Sequence, residues 1–256
     1  MMPHHARAIY ETSSSAKIDF SRRTAPRDLP ELMDGDCSYE DFRGCLGHLE
    51  QVNRWLLGYR PTLAWLTRLM ARLPRGLRDP VHIVDVGSGG GDLLRQIAGW
   101  ARRRGIAVQL TGIDLNPHAA RVAAEFTPKE LGIAWVTGDA LEYRPKKPVD
   151  IVVSSLLAHH LEDEEIVALL QWMESTARTG WFINDLERSE WSSKMFARVA
   201  EVVGWHQFVR HDGPVSFRRA FREEDWVRLL AAAEIPREAV TVEHWRPGRL
   251  CVGRLK

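Results

Sequence analysis

Apolar positions along the chain alternate between strand-like runs and helix-like stretches. Continuous apolar runs typical of buried strands occur at VHIVDVG, VQLTGIDL, IAWVTGD, VDIVVSSLL and GWFINDLE. Segments with helical spacing lie between them, such as LLRQIAGWARRRG and EDEEIVALLQWMESTA. Strand, helix and strand in succession predict parallel βαβ units. We therefore expect an α/β fold whose mostly parallel sheet contains five strands in series.

Both flanks of this alternating region have their own patterns. Residues 1–38 lack periodicity, which predicts a flexible arm or a covering segment, and residues 39–79 have the spacing of a helical extension that is broken at Pro61. The main domain is predicted to span residues 80–256, with residues 187–221 as a cap in which Gly213-Pro214 predicts a turn. The runs AVTVEHW and RLCVGRL at the end predict an antiparallel hairpin that closes the sheet.

Composition narrows the class of partner. The chain has 256 residues, 45% of them hydrophobic, which is enough for one enzyme-sized domain. Its 35 basic and 34 acidic residues give a net charge of +1, so no overall field favours nucleic acid. The scattered Cys37, Cys45 and Cys251 suit a reducing cytoplasm, and no apolar run is long enough for a membrane span. We expect a cytoplasmic protein with a small-molecule partner.

A glycine-rich turn is the sharpest chemical signal. It follows the first predicted strand, where glycines let the backbone approach a ligand and leave amide groups of the next helix free to donate. Asp92 stands where a dinucleotide fingerprint requires its third glycine. The spacing D-x-G-x-G-x-G instead fits Asp85, Gly87, Gly89 and Gly91.

This second pattern resembles motif I of the class I methyltransferases that use S-adenosylmethionine (SAM). The resemblance extends over about residues 80–186 and implies a Rossmann-like fold, SAM as methyl donor and S-adenosylhomocysteine (SAH) as product. It also implies a donor site formed by Asp85, Gly87, Ser88, Gly89, Gly91, Asp114, Leu115, Asp139, Ala140 and Ser154.

Three acidic residues receive distinct roles from this resemblance. Asp114, at the end of the second strand, matches the carboxylate that accepts hydrogen bonds from the ribose hydroxyls. Asp139 matches the position beside the adenine amino group, where Ala140 offers its backbone amide. Asp85 is expected near the amino group of the methionine moiety.

Histidines are the candidate catalytic groups. Methyl transfer to a hydroxyl requires loss of its proton, and an imidazole can accept that proton at neutral pH. His159 and His160 follow the fourth strand, and His211 lies in the predicted cap. Packing or hydrogen bonding at a helix start is the alternative role for the first two. Their spacing with Glu162 and Asp163 does not fit a metal site, so no metal is predicted.

The predicted cap resembles the segment that covers the acceptor in UbiE-like small-molecule methyltransferases. His211 and Arg219 of this segment are candidate contacts for an acidic or phenolic acceptor, and Asn184 and Asp185, at the end of the fifth strand, are candidate polar groups of the substrate pocket. The alternatives are an arginine–aspartate pair that fastens the cap to the core, and a capping role for Asn184 and Asp185. The sequence leaves the oligomeric state open.

Four functions follow from these residues. The first is O-methylation of a small phenolic or polyketide-like acceptor, and the second is N- or C-methylation of a heteroaromatic or quinone precursor. A noncatalytic SAM-binding protein is the third. Nucleic-acid methylation is the fourth, suggested by Arg102, Arg103 and Arg104, but the chain lacks the (Asn/Asp/Ser)-Pro-Pro-aromatic motif of DNA amine methyltransferases.

Overall fold

A seven-stranded sheet organises the computed structural model, which describes residues 19–35, 37–73 and 79–256. The predicted arm at residues 1–38 therefore lies outside the described residues over 1–18 and at 36. The strands are β1 (Val81–Val86), β2 (Val108–Asp114), β3 (Ala134–Thr137), β4 (Val149–Ser155), β5 (Ala177–Leu186), β6 (Thr241–Trp245) and β7 (Arg249–Leu255).

The strand order is β3-β2-β1-β4-β5-β7-β6. Strands β1 to β5 run parallel, and β7 is antiparallel to both β5 and β6. The predicted Rossmann-like fold with a C-terminal antiparallel hairpin is confirmed. Because the chain order reverses between β1 and β4, a crevice forms at the carboxyl ends of these strands, where ligands bind in open α/β sheets.

Eight α-helices surround the sheet within the described residues. They are α1 (Tyr39–Trp55), α2 (Arg60–Met70), α3 (Asp92–Arg103), α4 (Ala119–Phe126), α5 (Asp163–Thr176), α6 (Glu190–Val203), α7 (Gln207–Arg219) and α8 (Glu223–Ala232). None of the helices described is both long and apolar enough to cross a membrane.

Strand β4 shows how the sheet separates two apolar layers. Its side chains alternate between faces, as the pleat requires. Ile151 and Val153 pack in a layer with Trp65 of α2, whereas Val152 packs in a layer with Trp226 of α8. Burial on both faces explains why the central strands are continuous apolar runs in the sequence.

The predicted turn at Gly213-Pro214 is wrong, because both residues lie inside α7. A Cβ on Gly213 would lie 2.0 Å from Cε1 of Phe196, so glycine is needed here for close packing of α7 against α6. Ser193 of α6 also donates a hydrogen bond to the carbonyl of Pro214 at 3.3 Å. The packing between the two helices offsets the hydrogen bond that proline removes from a helix.

The described N-terminal residues 19–35 lie across the carboxyl edge of the sheet. Arg23 donates to Asp163 at 2.7 Å and to the carbonyl of Leu161 at 2.5 Å. Helix α7 holds the later part of the segment, because Asp212 accepts hydrogen bonds from the amides of Leu32 and Met33 at 2.8 and 3.1 Å. This segment and α7 together cover the crevice.

Two helical glycines provide a test of the α6–α7 packing. We expect Gly213→Ala to lower the free energy of unfolding by about 1–3 kcal/mol, the usual cost of overpacking. Gly99→Ala is the matched control, because its Cβ would meet only the flexible end of Arg103 at 3.4 Å and alanine favours a helix. Urea unfolding measures both variants, and equal stability of the two would contradict the packing argument.

Candidate functional site

A cavity of about 440 Å³ occupies the crevice. Its floor is the carboxyl edge of the sheet, and its walls come from α1, α6, α7 and the segment at residues 31–34. Most of the wall is apolar, with side chains of Met33, Phe42, Leu46, Leu49, Val52, Leu56, Phe196, Phe208 and Phe217. Such a cavity suits a small organic ligand.

The glycine-rich turn forms one end of this cavity. Gly87, Gly89 and Gly91 have φ values of 72°, 48° and 73°, which residues with a side chain rarely adopt. A Cβ on Gly91 would lie 2.3 Å from Cη2 of Trp135, so this residue serves the shape of the turn, whereas Gly87, Ser88 and Gly89 line the cavity. The turn aims the amino end of α3 toward a ligand.

Asp114 lies beside the glycine turn, at the end of β2. Its carboxylate accepts hydrogen bonds from the amide of Gly89 at 2.8 Å and of Asn116 at 2.9 Å. Burial raises its pKa, and these two donors partly oppose the rise. Asp114 and the exposed Leu115 both line the cavity.

Asp85 is an uncompensated buried acid. The residue is 2% exposed, and its Oδ1 has no hydrogen-bond partner within the described part of the chain. Burial raises its pKa well above the usual range, and the nearby carboxylates of Asp92 and Asp114 raise it further. A buried oxygen without a partner beside a glycine turn fits a ligand that carries a cationic or hydrogen-bond-donating group.

The other predicted donor residues lie at the same edge but do not face the cavity. Asp139 is exposed and caps a short 3₁₀ helix (Ala140–Glu142) by accepting from the amide of Leu141 at 2.8 Å. Ala140 packs in the core. Ser154 is buried and donates to the carbonyl of Val86 at 3.0 Å, so its side chain joins β4 to β1 rather than facing a donor.

His159 and Asp185 form a buried pair at the carboxyl ends of β4 and β5. His159 follows β4 in the 3₁₀ helix Ala158–His160, and its Nδ1 lies 2.7 Å from Oδ1 of Asp185 in β5. Asp185 also accepts from the amides of His159 and Leu186, at 3.3 and 2.7 Å. Burial raises the pKa of Asp185, but His159, the amide of Leu186 and the charge of Arg249 together lower it by more, so the net shift is downward.

This pair fixes the orientation of the imidazole. An anionic carboxylate bonds the protonated ring nitrogen, so Nδ1 carries the hydrogen and Nε2 keeps its lone pair. His159 lines the cavity. The site therefore contains one histidine with the arrangement of a general base.

The other two predicted histidines have different surroundings. His160 bonds Asp34 through Nδ1 at 2.9 Å, and its Nε2 lies 3.7 Å from Glu31. His211 bonds Asp212, its neighbour on α7, at 2.7 Å and does not line the cavity. His160 therefore fastens the N-terminal segment, and His211 stabilises α7.

One cluster has the composition of a metal site. Glu31, His159 and His160 each offer a ligand atom, and these atoms lie within 4.8 Å of one another. The Glu31 carboxylate is already occupied, since Oε1 accepts from Ser216 at 2.8 Å and lies 3.3 Å from Nη1 of Arg219. The cluster satisfies its own charges without an added cation.

Two predicted substrate contacts are wrong, because both side chains serve the framework. Asn184 is fully buried and donates to the carbonyl of Gly58 at 2.8 Å and to Thr62 at 3.1 Å, so it fastens α2 to β5. Arg219 is fully buried and pairs with Asp34 at 2.6 Å. The alternative of an arginine–aspartate pair that fastens the cap therefore describes Arg219 correctly.

Comparison with known proteins agrees with this geometry. The family model described as a methyltransferase domain matches residues 83–180. Over these residues the chain is similar to a methyltransferase domain. Its topology is that of the class I fold that the sequence resembled.

Relatives and solved structures extend the comparison. Trans-aconitate 2-methyltransferases of Mycobacterium tuberculosis (strain ATCC 25177 / H37Ra) and of Streptomyces avermitilis are 31% identical over 106 residues and 32% identical over 108 residues. Each match covers 41% of this chain but only 37% and 34% of the relative, so the chain spans about a third of these proteins.

Two solved structures share the fold. The plantazolicin methyltransferase BpumL in complex with SAH has a TM-score of 0.60 at 15% identity, and the alignment covers 84% of this chain and 95% of that chain. The CMeT domain of the citrinin polyketide synthase has a TM-score of 0.56 at 15% identity, with 77% and 52% covered. At this level of identity the likeness shows a shared fold.

Several site residues had no signal in the sequence. Glu31, Asn53, Asp92 and Arg249 line the cavity but belong to no motif. Leu156, also in the lining, has a φ of 59°, which is uncommon for a branched side chain. Asp185, in contrast, was a candidate from the sequence, because its strand ends at the same edge of the sheet as the segment of His159.

The paired charges of His160 predict a dependence of stability on pH. Burial lowers its pKa, but Glu31 and Asp34 raise it more, and the net shift is upward. The stabilisation is therefore complete below the unfolded pKa of about 6.5 and is lost as pH rises through the folded value. We expect the melting temperature of the ligand-free protein to fall between about pH 6 and 9, and to fall less in His160→Asn.

Differential scanning calorimetry across this range provides the measurement. The pKa of His211 is also raised, chiefly by its hydrogen bond to Asp212, so a variant that lacks both histidines should show a still flatter profile. Parallel curves for the wild type and His160→Asn would show that this residue does not couple protonation to folding.

Proposed function

We propose that the protein transfers the methyl group of SAM to a hydroxyl of a small phenolic or polyketide-like acceptor, with His159 as general base. The observation that carries this proposal is the 2.7 Å pair of His159 and Asp185, whose histidine lines the same cavity as the glycine-rich turn. The donor at the turn and the acceptor at His159 would meet in this cavity.

The donor half of the proposal rests on the residues around the turn. SAM supplies an activated methyl group on a positively charged sulfur. The carboxylate of Asp114 would hold its ribose, the amides of the glycine turn would lie beside its methionine moiety, and Oδ1 of Asp85, which lacks a hydrogen-bond partner in the described residues, would accept from the amino group of that moiety. The similarity of residues 83–180 to a methyltransferase domain and the likeness to an SAH-bound methyltransferase support this assignment.

The catalytic half rests on the fixed imidazole. Transfer to a hydroxyl forms a bond from oxygen to the methyl carbon, and the hydroxyl proton must leave. Nε2 of His159 would accept that proton, and the buried carboxylate of Asp185 would stabilise the resulting imidazolium. Neither group needs to move, since Asp185 is held by three donors.

The walls of the cavity favour an acceptor with a flat, apolar body. Phe42, Phe196, Phe208 and Phe217 provide aromatic surface, which suits a ring system. This aromatic surface supports a phenolic or polyketide-like acceptor.

N- or C-methylation of a heteroaromatic or quinone precursor is the alternative reaction. Such an acceptor is already electron-rich and depends less on a base. Assignment to the UbiE-like subgroup also stays a prediction. The following variants separate the reactions.

We expect His159→Asn and Asp185→Asn to lower kcat for a hydroxyl acceptor by about 10²- to 10⁴-fold, the range for a lost general base or its orientation. His211→Asn is the control, because this histidine lies outside the cavity lining. SAH release during turnover with a panel of phenols and hydroxylated polyketide-like acids gives the rates, and calorimetry checks that SAH still binds. Rates within about threefold of the wild type would favour the N- or C-methylation alternative.

Asp114 provides an independent test of the donor site. We expect Asp114→Asn to weaken SAH binding by about 1.5–3 kcal/mol, since hydrogen bonds to charged groups have this strength. Glu142→Gln, which changes an exposed acid near the same edge, should leave the Kd unchanged. Isothermal titration calorimetry measures the Kd of SAH, with NAD and ATP as control ligands. Unchanged affinity in Asp114→Asn, or a preference for NAD, would refute this donor site.

A further inference from the structure

Arg249 is a buried cation that forms no direct ion pair with the described residues. It begins β7, is 5% exposed and lines the cavity. Its Nη2 donates to Oδ1 of Asn53 at 2.8 Å, and its Nη1 donates to Oδ1 of Asn184 at 3.3 Å. Both acceptors are neutral amides, so the positive charge stays uncompensated at close range within the described residues.

Three other buried arginines, unlike Arg249, each pair with a carboxylate. Arg23, Arg188 and Arg219 have side chains that are 5% exposed or less, and each has a carboxylate oxygen within 2.7 Å. A buried charge is costly unless it is paired and hydrogen-bonded. The position of Arg249 therefore calls for an anionic group that the described part of the chain does not supply.

The surrounding structure is shaped to hold this guanidinium at the cavity. A Cβ on Gly58 would lie 2.7 Å from Nη2 of Arg249 and 2.8 Å from Oδ1 of Asn53, so a side chain here would displace this pair. Gly58 follows Leu57, whose φ of 55° is itself uncommon. The turn between α1 and α2 is thus built around the arginine.

Asn53 contacts Arg249 through its oxygen and a negatively charged residue, Asp92, through its nitrogen. Its Nδ2 donates to Asp92 at 3.0 Å, and Asp92 begins α3 directly after the glycine turn. Asp85 and Asp114 add two more carboxylates around that turn. One amide side chain therefore separates an acidic end of the cavity from a single basic group.

We infer that Arg249 binds a carboxylate inside the cavity. The guanidinium fork matches a carboxylate in shape as well as charge. The carboxylate comes either from the methionine moiety of the donor, whose ammonium group would then face the acids near the turn, or from the acceptor. The first source rests on the proposed function, and the second does not require it.

Calorimetry with three ligands tests the donor source. The ligands are SAH, decarboxylated SAH, which keeps the amino group, and 5′-methylthioadenosine, which lacks the amino-acid part. If the donor supplies the carboxylate, Arg249→Gln raises the Kd of SAH by about 10- to 150-fold and changes the Kd of the other two by less than about twofold. Arg254→Gln is the matched control on the same strand, because its side chain pairs with Glu174 away from the cavity.

Acceptors test the second source. If the acceptor supplies the carboxylate, Arg249→Gln leaves SAH binding unchanged but raises the KM or Kd of carboxylate-bearing acceptors at least tenfold, with no change for their neutral esters. Trans-aconitate and aromatic hydroxy acids serve as probes. Equal effects on ligands with and without a carboxylate, or no effect on any carboxylate, would overturn the inference.

Failure of the variant to fold and failure of the wild type to bind SAH each have a separate readout. If Arg249→Gln does not fold by circular dichroism, Arg249→Lys keeps the charge but loses the two-pronged geometry and should show the same selectivity in smaller measure. If the wild type does not bind SAH, the proposed function fails, and the carboxylate acceptors alone decide the role of Arg249.

Discussion

The cavity depends on a buried ionic contact between α7 and the N-terminal segment. Asp212, Ser216 and Arg219 are spaced by four and three residues, so they share one face of α7. Arg219 donates to the carbonyl of Leu29 at 2.8 Å and pairs with Asp34, while Ser216 donates to Glu31. Loss of one partner would leave a buried charge uncompensated, which costs several kcal/mol.

This contact has consequences for the chemistry below it. The segment at residues 31–34 forms the wall above His159 and His160, so it helps to exclude water from the imidazole. A base and a developing charge interact more strongly where water is excluded. The ionic contact thus connects the stability of the cover to the environment in which methyl transfer would occur.

The fold was predictable because its signals are local. Each central strand is buried on both faces and therefore appears as an apolar run, and the glycine turn is specified by backbone conformations that only glycine adopts readily. The same locality explains the error at Gly213-Pro214. A turn dipeptide was read without knowledge that Phe196 packs against Gly213, a contact between two helices that no spacing in the sequence records.

The candidate site residues also differ in whether their surroundings are local or distant in the sequence. Gly87, Gly89 and Asp114 come from one turn and one neighbouring strand, so a local motif in the sequence was enough to single them out, and all three line the cavity. Asn184 and Arg219 were assigned to substrate because they are polar residues near strand ends or in the cap. Their partners, in α2 and in the N-terminal segment, lie more than 120 positions away.

The cavity has acidic residues around the glycine turn and a buried arginine nearby. Around the glycine turn, Asp85 and Asp92 are acidic and Asp85 has an oxygen without a partner, whereas Arg249 is basic and lacks a counter-ion within the described residues. The chain keeps these opposite charges apart with the amide of Asn53 instead of pairing them. Direct pairing would satisfy both groups in the free protein and leave nothing for a ligand. Separation costs stability and reserves both charges for a zwitterionic ligand or for two ligands of opposite charge, as expected of a binding site rather than of a packed core.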